Sequence, residues 1–233
     1  IGSIYFKNES NKMTLMLDDD AVWKNSEDEL FPVNQTYAGN MQSALASVTS
    51  SRTITEVTKD LASFGLDTPA VQVIATLDDG TTTSIAIGDE APVVGGYYAT
   101  VDEGSEVYIV TAAFYNCFIY TLTEMTATET IPTITAEYIT HLTVENKDKQ
   151  NVEISYDETS YADYAGFTNW TMDQPYATAI PADADAVATV LSNYASIEFL
   201  SCIDYNAKDL SKYGFDDPTA SIALEYYKVE TTK

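Results

Sequence analysis

The sequence predicts an α+β fold of two similar domains, each an antiparallel sheet meander with an amphipathic helix packed on one face. Three observations carry this. The run Lys59-Asp60-Leu61-Ala62-Ser63-Phe64-Gly65-Leu66-Asp67-Thr68-Pro69 returns without a gap, 149 residues later, as Lys208-Asp209-Leu210-Ser211-Lys212-Tyr213-Gly214-Phe215-Asp216-Asp217-Pro218, which marks an internal duplication. Upstream of each copy a good N-cap type, Asn34 or Asp183, opens a run with one apolar stripe. Short alternating runs joined by tight turns such as Asp78-Asp79-Gly80 are the pattern of sequential antiparallel strands.

Residues 1–7 and 13–17 alternate weakly around a polar turn and predict a first hairpin. Asp18-Asp19-Asp20 reads as a solvated loop, because a calcium loop needs spaced oxygen ligands, a glycine and a closing Glu. Trp23 and Phe31-Pro32-Val33 lead into the capped helix, whose stripe is Ala38, Met41, Leu45 and Val48. Residues 51–57, and their partners 200–206, read as strands.

The repeated motif then predicts a helical turn ended by a glycine. Gly65 and Gly214 occupy a C′ position that needs φ > 0, with Leu61 and Leu66, or Leu210 and Phe215, placed for the apolar contact of a Schellman cap. Asp67 and Asp216 can accept from free turn N–H groups, and Pro69 and Pro218 prevent a return to helix.

After the turn, Val71, Val73, Ala75 and Leu77 share one face, and Ile85 and Ile87 point inward from the return strand. Residues 97–101 and 107–110 predict another hairpin, and 111–122 a helix with Phe114, Cys117, Phe118 and Leu122 on one side. Residues 1–125 form the first domain, 126–137 a Thr-rich linker and 138–233 the second domain. In that domain 139–156 restarts the pattern of 1–17, Trp170 stands where Trp23 stood, and the helix stripe is Val187, Val190, Tyr194 and Ile197. Nothing in the second copy matches 79–122. The expectation is a chain that continues past Lys233 into the missing strands, or another element or neighbouring molecule that covers the last strand's edge.

The 45% hydrophobic fraction is that of a globular protein. A net charge of −25, from 11 basic and 36 acidic residues, argues against nucleic acid and anionic membrane surfaces, which require Lys/Arg patches. No apolar run reaches the length of a transmembrane helix. Cys117 and Cys202 read as two buried free thiols, one in each copy, with a disulfide between the copies as the alternative.

His141 is the only histidine and lies in a strand pattern. No recognisable nucleophile motif accompanies it, and no G-x-S-x-G, G-x-x-x-x-G-K-[ST] or G-x-G-x-x-G occurs. Zinc sites of several Cys or His are excluded by count. No catalytic residue, metal or cofactor is expected. Carboxylates are numerous enough to supply a glycosidase pair, which in so acidic a chain carries no information alone. The remaining candidates are surface aromatics, Tyr97, Tyr98, Tyr161 and Tyr164, weighed against ordinary sheet aromatics.

The succession of Trp, capped helix, Tyr/Phe-Gly-Leu/Phe-Asp-x-Pro, strand, Ile87-Gly88-Asp89, Gly96-Tyr97-Tyr98-Ala99 and Val107-Tyr108-Ile109-Val110 resembles the bacterial domain of unknown function 4340, here in tandem. The resemblance covers the first copy nearly whole and the second through Tyr226. It implies an extracytoplasmic location, with membrane anchoring as a lipoprotein in the full-length precursor, and supplies no catalytic residues. Two function classes follow as expectations. One is a non-catalytic envelope module for protein interaction or scaffolding. The alternative is a glycan-binding or glycan-processing surface protein. A groove with facing carboxylates and exposed Tyr or Trp favours the alternative; an exposed apolar patch favours the protein partner.

Overall fold

The computed structural model describes residues 1–54, 61–92, 95–158 and 169–227. The chain forms two compact units, one of Ile1–Thr128 with Leu200–Tyr205, the other of Glu129–Phe199 with Asn206–Lys233. The architecture is α+β, with one antiparallel sheet in each unit.

In the first unit β1 (Ser3–Lys7) and β2 (Lys12–Leu17) are joined by a turn in which Asn8 Oδ1 accepts from the Ser10 and Asn11 N–H groups at 2.8 and 2.7 Å. β3 (Trp23–Asn25), α1 (Gln35–Ala46) and β4 (Ser50–Ile54) follow. Asn34 caps α1 by accepting from the Thr36 and Tyr37 N–H groups. β5 (Val71–Thr76), β6 (Thr82–Glu90), β7 (Tyr97–Val101) and β8 (Val107–Val110) complete an eight-stranded sheet in the order β3-β2-β1-β5-β6-β7-β8-β4. Alternation along these strands puts Ile4, Phe6, Leu15, Val71, Val73, Ile85 and Ile87 into one core with Ala38 and Met41 of α1.

The glycine turn of this unit is a Schellman cap. Leu66 N–H donates to Leu61 C=O at 3.0 Å, Gly65 N–H donates to Ala62 C=O at 3.1 Å, and Gly65 has φ 67°. Residues 111–122 depart from the expectation of one helix. They form α2 (Ala112–Asn116), and a separate α3 (Leu122–Met125) follows. Thr111 and Thr121 each cap a new N-terminus, the latter in a capping box with Glu124, and the hydroxyls that start these turns divide the run. Phe114 and Phe118 still reach the core, while Leu122 is exposed. Val48 and Leu77 also fall beyond the ends of their elements and are exposed.

The second unit contains β9 (Ile139–Asn146), β10 (Val152–Tyr156), β11 (Trp170–Gln174), β12 (Ile180–Pro181), α4 (Ala184–Ala195) and β13 (Ala220–Tyr226), with sheet order β12-β11-β10-β9-β13. α4 is α1 moved by 149 residues at both ends, and Asp183 caps it by accepting from the Ala186 N–H at 2.8 Å. The helix packs on the same sheet face in both units. Ile4 and Leu15 lie under α1, and Leu142 and Ile154, at the matching sheet positions, lie under α4.

Three further expectations are corrected. The buried stripe of α4 is Val187 and Leu191, while Val190 and Ile197 are exposed. Met41, which Val190 replaces, packs in a cluster that contains Phe114 and Phe118, and the second cluster has no counterpart of those rings. Residues 200–206 do not form a strand. In the first unit β4 pairs with β8; no strand among the described residues of the second unit corresponds to β8, so Leu200–Tyr205 docks through side chains onto the first unit. There Tyr205 Oη donates to Asp28 Oδ2 at 2.9 Å, and its ring meets Phe31 edge-on at 4.8 Å. Finally, Cys117 and Cys202 are free but half-buried rather than buried.

Candidate functional site

The second unit holds a cleft of about 590 Å³ between α4 and the inner sheet face. Tyr156 and Trp170 face each other across β10 and β11, and their rings meet edge-on at 5.4 Å. Tyr227, Glu137 and Glu158 also line the cleft, over an apolar floor that includes Ile139, Val187 and Leu191. Tyr156 and Tyr227 are exposed and Trp170 is half-buried, whereas the matching Trp23 of the first unit is buried. None of these five is among the surface aromatics Tyr97, Tyr98, Tyr161 and Tyr164 that the sequence singles out. Trp170 matches Trp23 in sequence, but the core beside it lacks counterparts of Phe114, Phe118 and Met125.

On the opposite face, alternation along β9, β10 and β11 gathers six polar side chains. His141 Nδ1 lies 2.9 Å from Ser155 Oγ, and His141 Nε2 lies 3.1 Å from Thr143 Oγ1 and 3.3 Å from Glu153 Oε1. Ser155 Oγ donates to Asp173 Oδ2, and Thr171 Oγ1 donates to Asp173 Oδ1 at 3.0 Å. The acid-His-Ser outline is that of a nucleophile relay, but its proton order is reversed. Ser155 gives its one hydrogen to Asp173, so its oxygen accepts from Nδ1, and the imidazole is not a base toward that hydroxyl. The cluster is a satisfied polar network on a sheet face, and His141 has more partners than its sequence context suggested.

The other singled-out residues fall as follows. Tyr97 is half-buried and stacks on Tyr115 at 3.8 Å; Tyr98 is half-buried and meets Phe64 edge-on at 4.8 Å. Burial, and next Tyr97, push the Tyr115 phenol above its ordinary range. Tyr161 and Tyr164 lie outside the described residues. Gly65 and Gly214 have φ 67° and 79°, and Pro69 and Pro218 each precede the strand that follows, β5 and β13. Around the first turn the fit is close: a Cβ on Gly65 would stand 2.5 Å from Asp89 Oδ1, and one on Gly88 2.2 Å from the Phe64 carbonyl oxygen. Around Gly214 nothing lies within 4 Å. Asp67 and Asp216 make no side-chain hydrogen bond among the described residues; in the second turn the ion pair with Lys147 falls on Asp217.

Among the described residues no group of three or more His, Cys, Asp or Glu could hold a metal ion, and no helix is long and apolar enough to cross a membrane. The site is therefore a duplicated scaffold whose second copy presents an aromatic cleft and an end strand. The chain belongs to the family described as Domain of unknown function (DUF4340), which it matches over residues 23–169 and 170–232. Each matched segment begins at a tryptophan, Trp23 or Trp170, and the first runs through β9 and β10 of the second sheet. No curated protein and no solved structure matches the chain.

Proposed function

We propose that this chain is a non-catalytic, extracytoplasmic module of the bacterial envelope that binds a protein partner, with the second unit as the binding half. The observation that carries the reading is the apolar surface of that unit. Val73 is 1% exposed, and Ile222 at the matching position is 46% exposed; Leu66 is 7% exposed, and the matching Phe215 is 65% exposed. Large apolar side chains exposed in this way, where their counterparts are buried, are the raw material of interaction surfaces. The envelope setting, with lipoprotein-type anchoring of the precursor, is taken from the family resemblance and the Thr-, Ser- and Tyr-rich composition.

Photo-crosslinking in native envelopes tests this. A photoreactive residue at Phe215 or Ile222 is expected to yield discrete protein adducts, and one at Met16 on the first unit is not. Equal labelling at all three positions, or none at the first two, would overturn the reading. The glycan reading is favoured by one observation, the cleft with Tyr156, Trp170 and Tyr227 beside Glu137 and Glu158. Aromatic rings stack on sugar faces and carboxylates accept from hydroxyls. Saturable calorimetric heats with envelope oligosaccharides, lost in Trp170→Ala, would establish it in place of the first reading.

A further inference from the structure

We propose that two stacked tyrosine pairs of the first unit, Tyr97 with Tyr115 and Tyr37 with Tyr120, are oxidative cross-linking sites: a one-electron oxidant of the peroxidase class joins each pair into a dityrosine. The inference concerns the first unit and does not rest on the protein-partner reading above.

The rings are placed for this coupling. Tyr97 and Tyr115 have centroids 3.8 Å apart and planes 11° from parallel; for Tyr37 and Tyr120 the values are 4.2 Å and 5°. Aromatic pairs ordinarily meet edge-on or offset, with centroids about 4.5–7 Å apart. The other aromatic pairs among the described residues follow that rule, with centroids 4.8–5.4 Å apart and planes at 59–71°, and each contains a Phe or a Trp. The close, parallel pairs are therefore the ones in which both partners are phenols. At these separations the carbons of one ring lie in van der Waals contact with those of the other.

Different elements hold the two members of each pair. Tyr97 opens β7 between Glu90 of β6 and Val110 of β8, while Tyr115 belongs to α2, which Phe114 and the following Phe118 anchor in the core. Tyr37 is in the first turn of α1, and its N–H donates to Asn34 Oδ1 at 3.3 Å. Tyr120 is fixed through its carbonyl, which accepts from Asn8 Nδ2 at 3.1 Å and from Asn11 Nδ2 at 3.4 Å. All four tyrosines are half-buried, so solvent reaches them while their neighbours keep the stack in place.

The reaction balances. Each phenol gives one electron to the oxidant and its O–H proton to water. Burial first, and Tyr97 next, hold the Tyr115 phenol above its ordinary range, and burial does the same at Tyr120, so the proton leaves with the electron rather than before it. The two unpaired electrons, each shared between the oxygen and the carbons ortho to it, pair in a new C–C bond between ortho carbons. The hydrogen on each of those carbons leaves as a proton, and each ring oxygen regains one. The peroxidase draws on hydrogen peroxide: one peroxide takes up the two electrons and two protons of a pair and becomes two waters. Coupling within a stacked pair requires no diffusion, whereas coupling between chains meets the repulsion of a net charge of −25.

The bonds would brace the part of the unit built from its shortest helices. One ties α2 to β7, and the other ties the segment after α2 to α1. Closing such loops restricts the unfolded chain as a disulfide does, in a chain whose Cys117 and Cys202 are free.

The test treats the intact 233-residue chain with a haem peroxidase and hydrogen peroxide, and reads dityrosine by its fluorescence and by mass spectrometry of digested monomers. Peptides cross-linked between Tyr97 and Tyr115, and between Tyr37 and Tyr120, are expected. Tyr97→Phe should remove the first link and Tyr37→Phe the second, and the double variant should yield at least tenfold less dityrosine. Phenylalanine keeps a ring in the stack, so the loss reports the phenol and not the fold. No dityrosine, links spread over the other tyrosines, links formed chiefly between chains, or an unchanged yield in the double variant would overturn the proposal.

Discussion

Gly65→Ala and Gly214→Ala make the same chemical change at matching positions of the two units, and their costs should differ by a calculable amount. Both glycines have positive φ, 67° and 79°, where an alanine is strained by about 1–2 kcal/mol. At Gly214 that is the whole cost, because a Cβ there meets nothing within 4 Å. At Gly65 the new Cβ would stand 2.5 Å from Asp89 Oδ1 and 2.9 Å from the Asp89 backbone nitrogen. A side chain can rotate away, but the backbone nitrogen belongs to β6, so the strand must shift. Overpacking of this kind adds about 1–3 kcal/mol. The expected totals are about 2–5 kcal/mol for Gly65→Ala and about 1–2 kcal/mol for Gly214→Ala. Each unit has one tryptophan, Trp23 or Trp170, so fluorescence in Trp170→Phe and Trp23→Phe backgrounds reads each unit separately. With a urea slope of about 2 kcal/mol/M, the Trp23 transition should move down by roughly 1 M or more, and the Trp170 transition by less. Equal shifts would refute the claim that contact with β6, rather than φ alone, holds Gly65 in place.

Two further outcomes are expected. Asn34→Ala should destabilise the first unit and Asp183→Ala the second, each by about 1 kcal/mol in urea unfolding read by the resident tryptophan, because each removes the acceptor of helix N-terminal N–H groups. The Lys24 ammonium, and next the Val22 N–H, hold the Asp18 carboxyl below its ordinary range. The folded value is depressed, so the stabilisation is present above the unfolded pKa and lost as pH falls through the folded one; an NMR titration should show Asp18 moving up in Lys24→Met.

Most of the fold was legible because it depends on local chemistry. Caps, turn glycines and strand alternation are short-range effects, and a 149-residue repeat carries them from one copy to the other. The misreadings share a different cause. Residues 200–206 matched a strand of the first copy, but a strand needs a neighbour, and the partner of β4 is β8, which has no counterpart among the described residues of the second unit. Val190 matched Met41, but Met41 is buried among residues contributed after the repeated motif. The 111–122 run keeps helical spacing, yet Thr121 within it starts a helix of its own in a capping box with Glu124.

The candidate site was less legible for the same reason. Val71, Val73 and Ala75 of β5 and Ala220, Ile222 and Leu224 of β13 have the same period-two pattern, and nothing in either run says whether a further strand lies beside it. In β5 the pattern means a buried central strand; in β13 it means an apolar end strand. Tyr97 and Tyr98 stand out in the sequence as a tyrosine doublet, yet they sit on β7, flanked by β6 and β8, and each ring already has an aromatic partner, Tyr115 or Phe64. Trp170 and Tyr156 line a cleft in a unit whose core has no counterpart of Phe114, Phe118 and Met125. What separates a core residue from a binding residue here is the neighbour, not the residue.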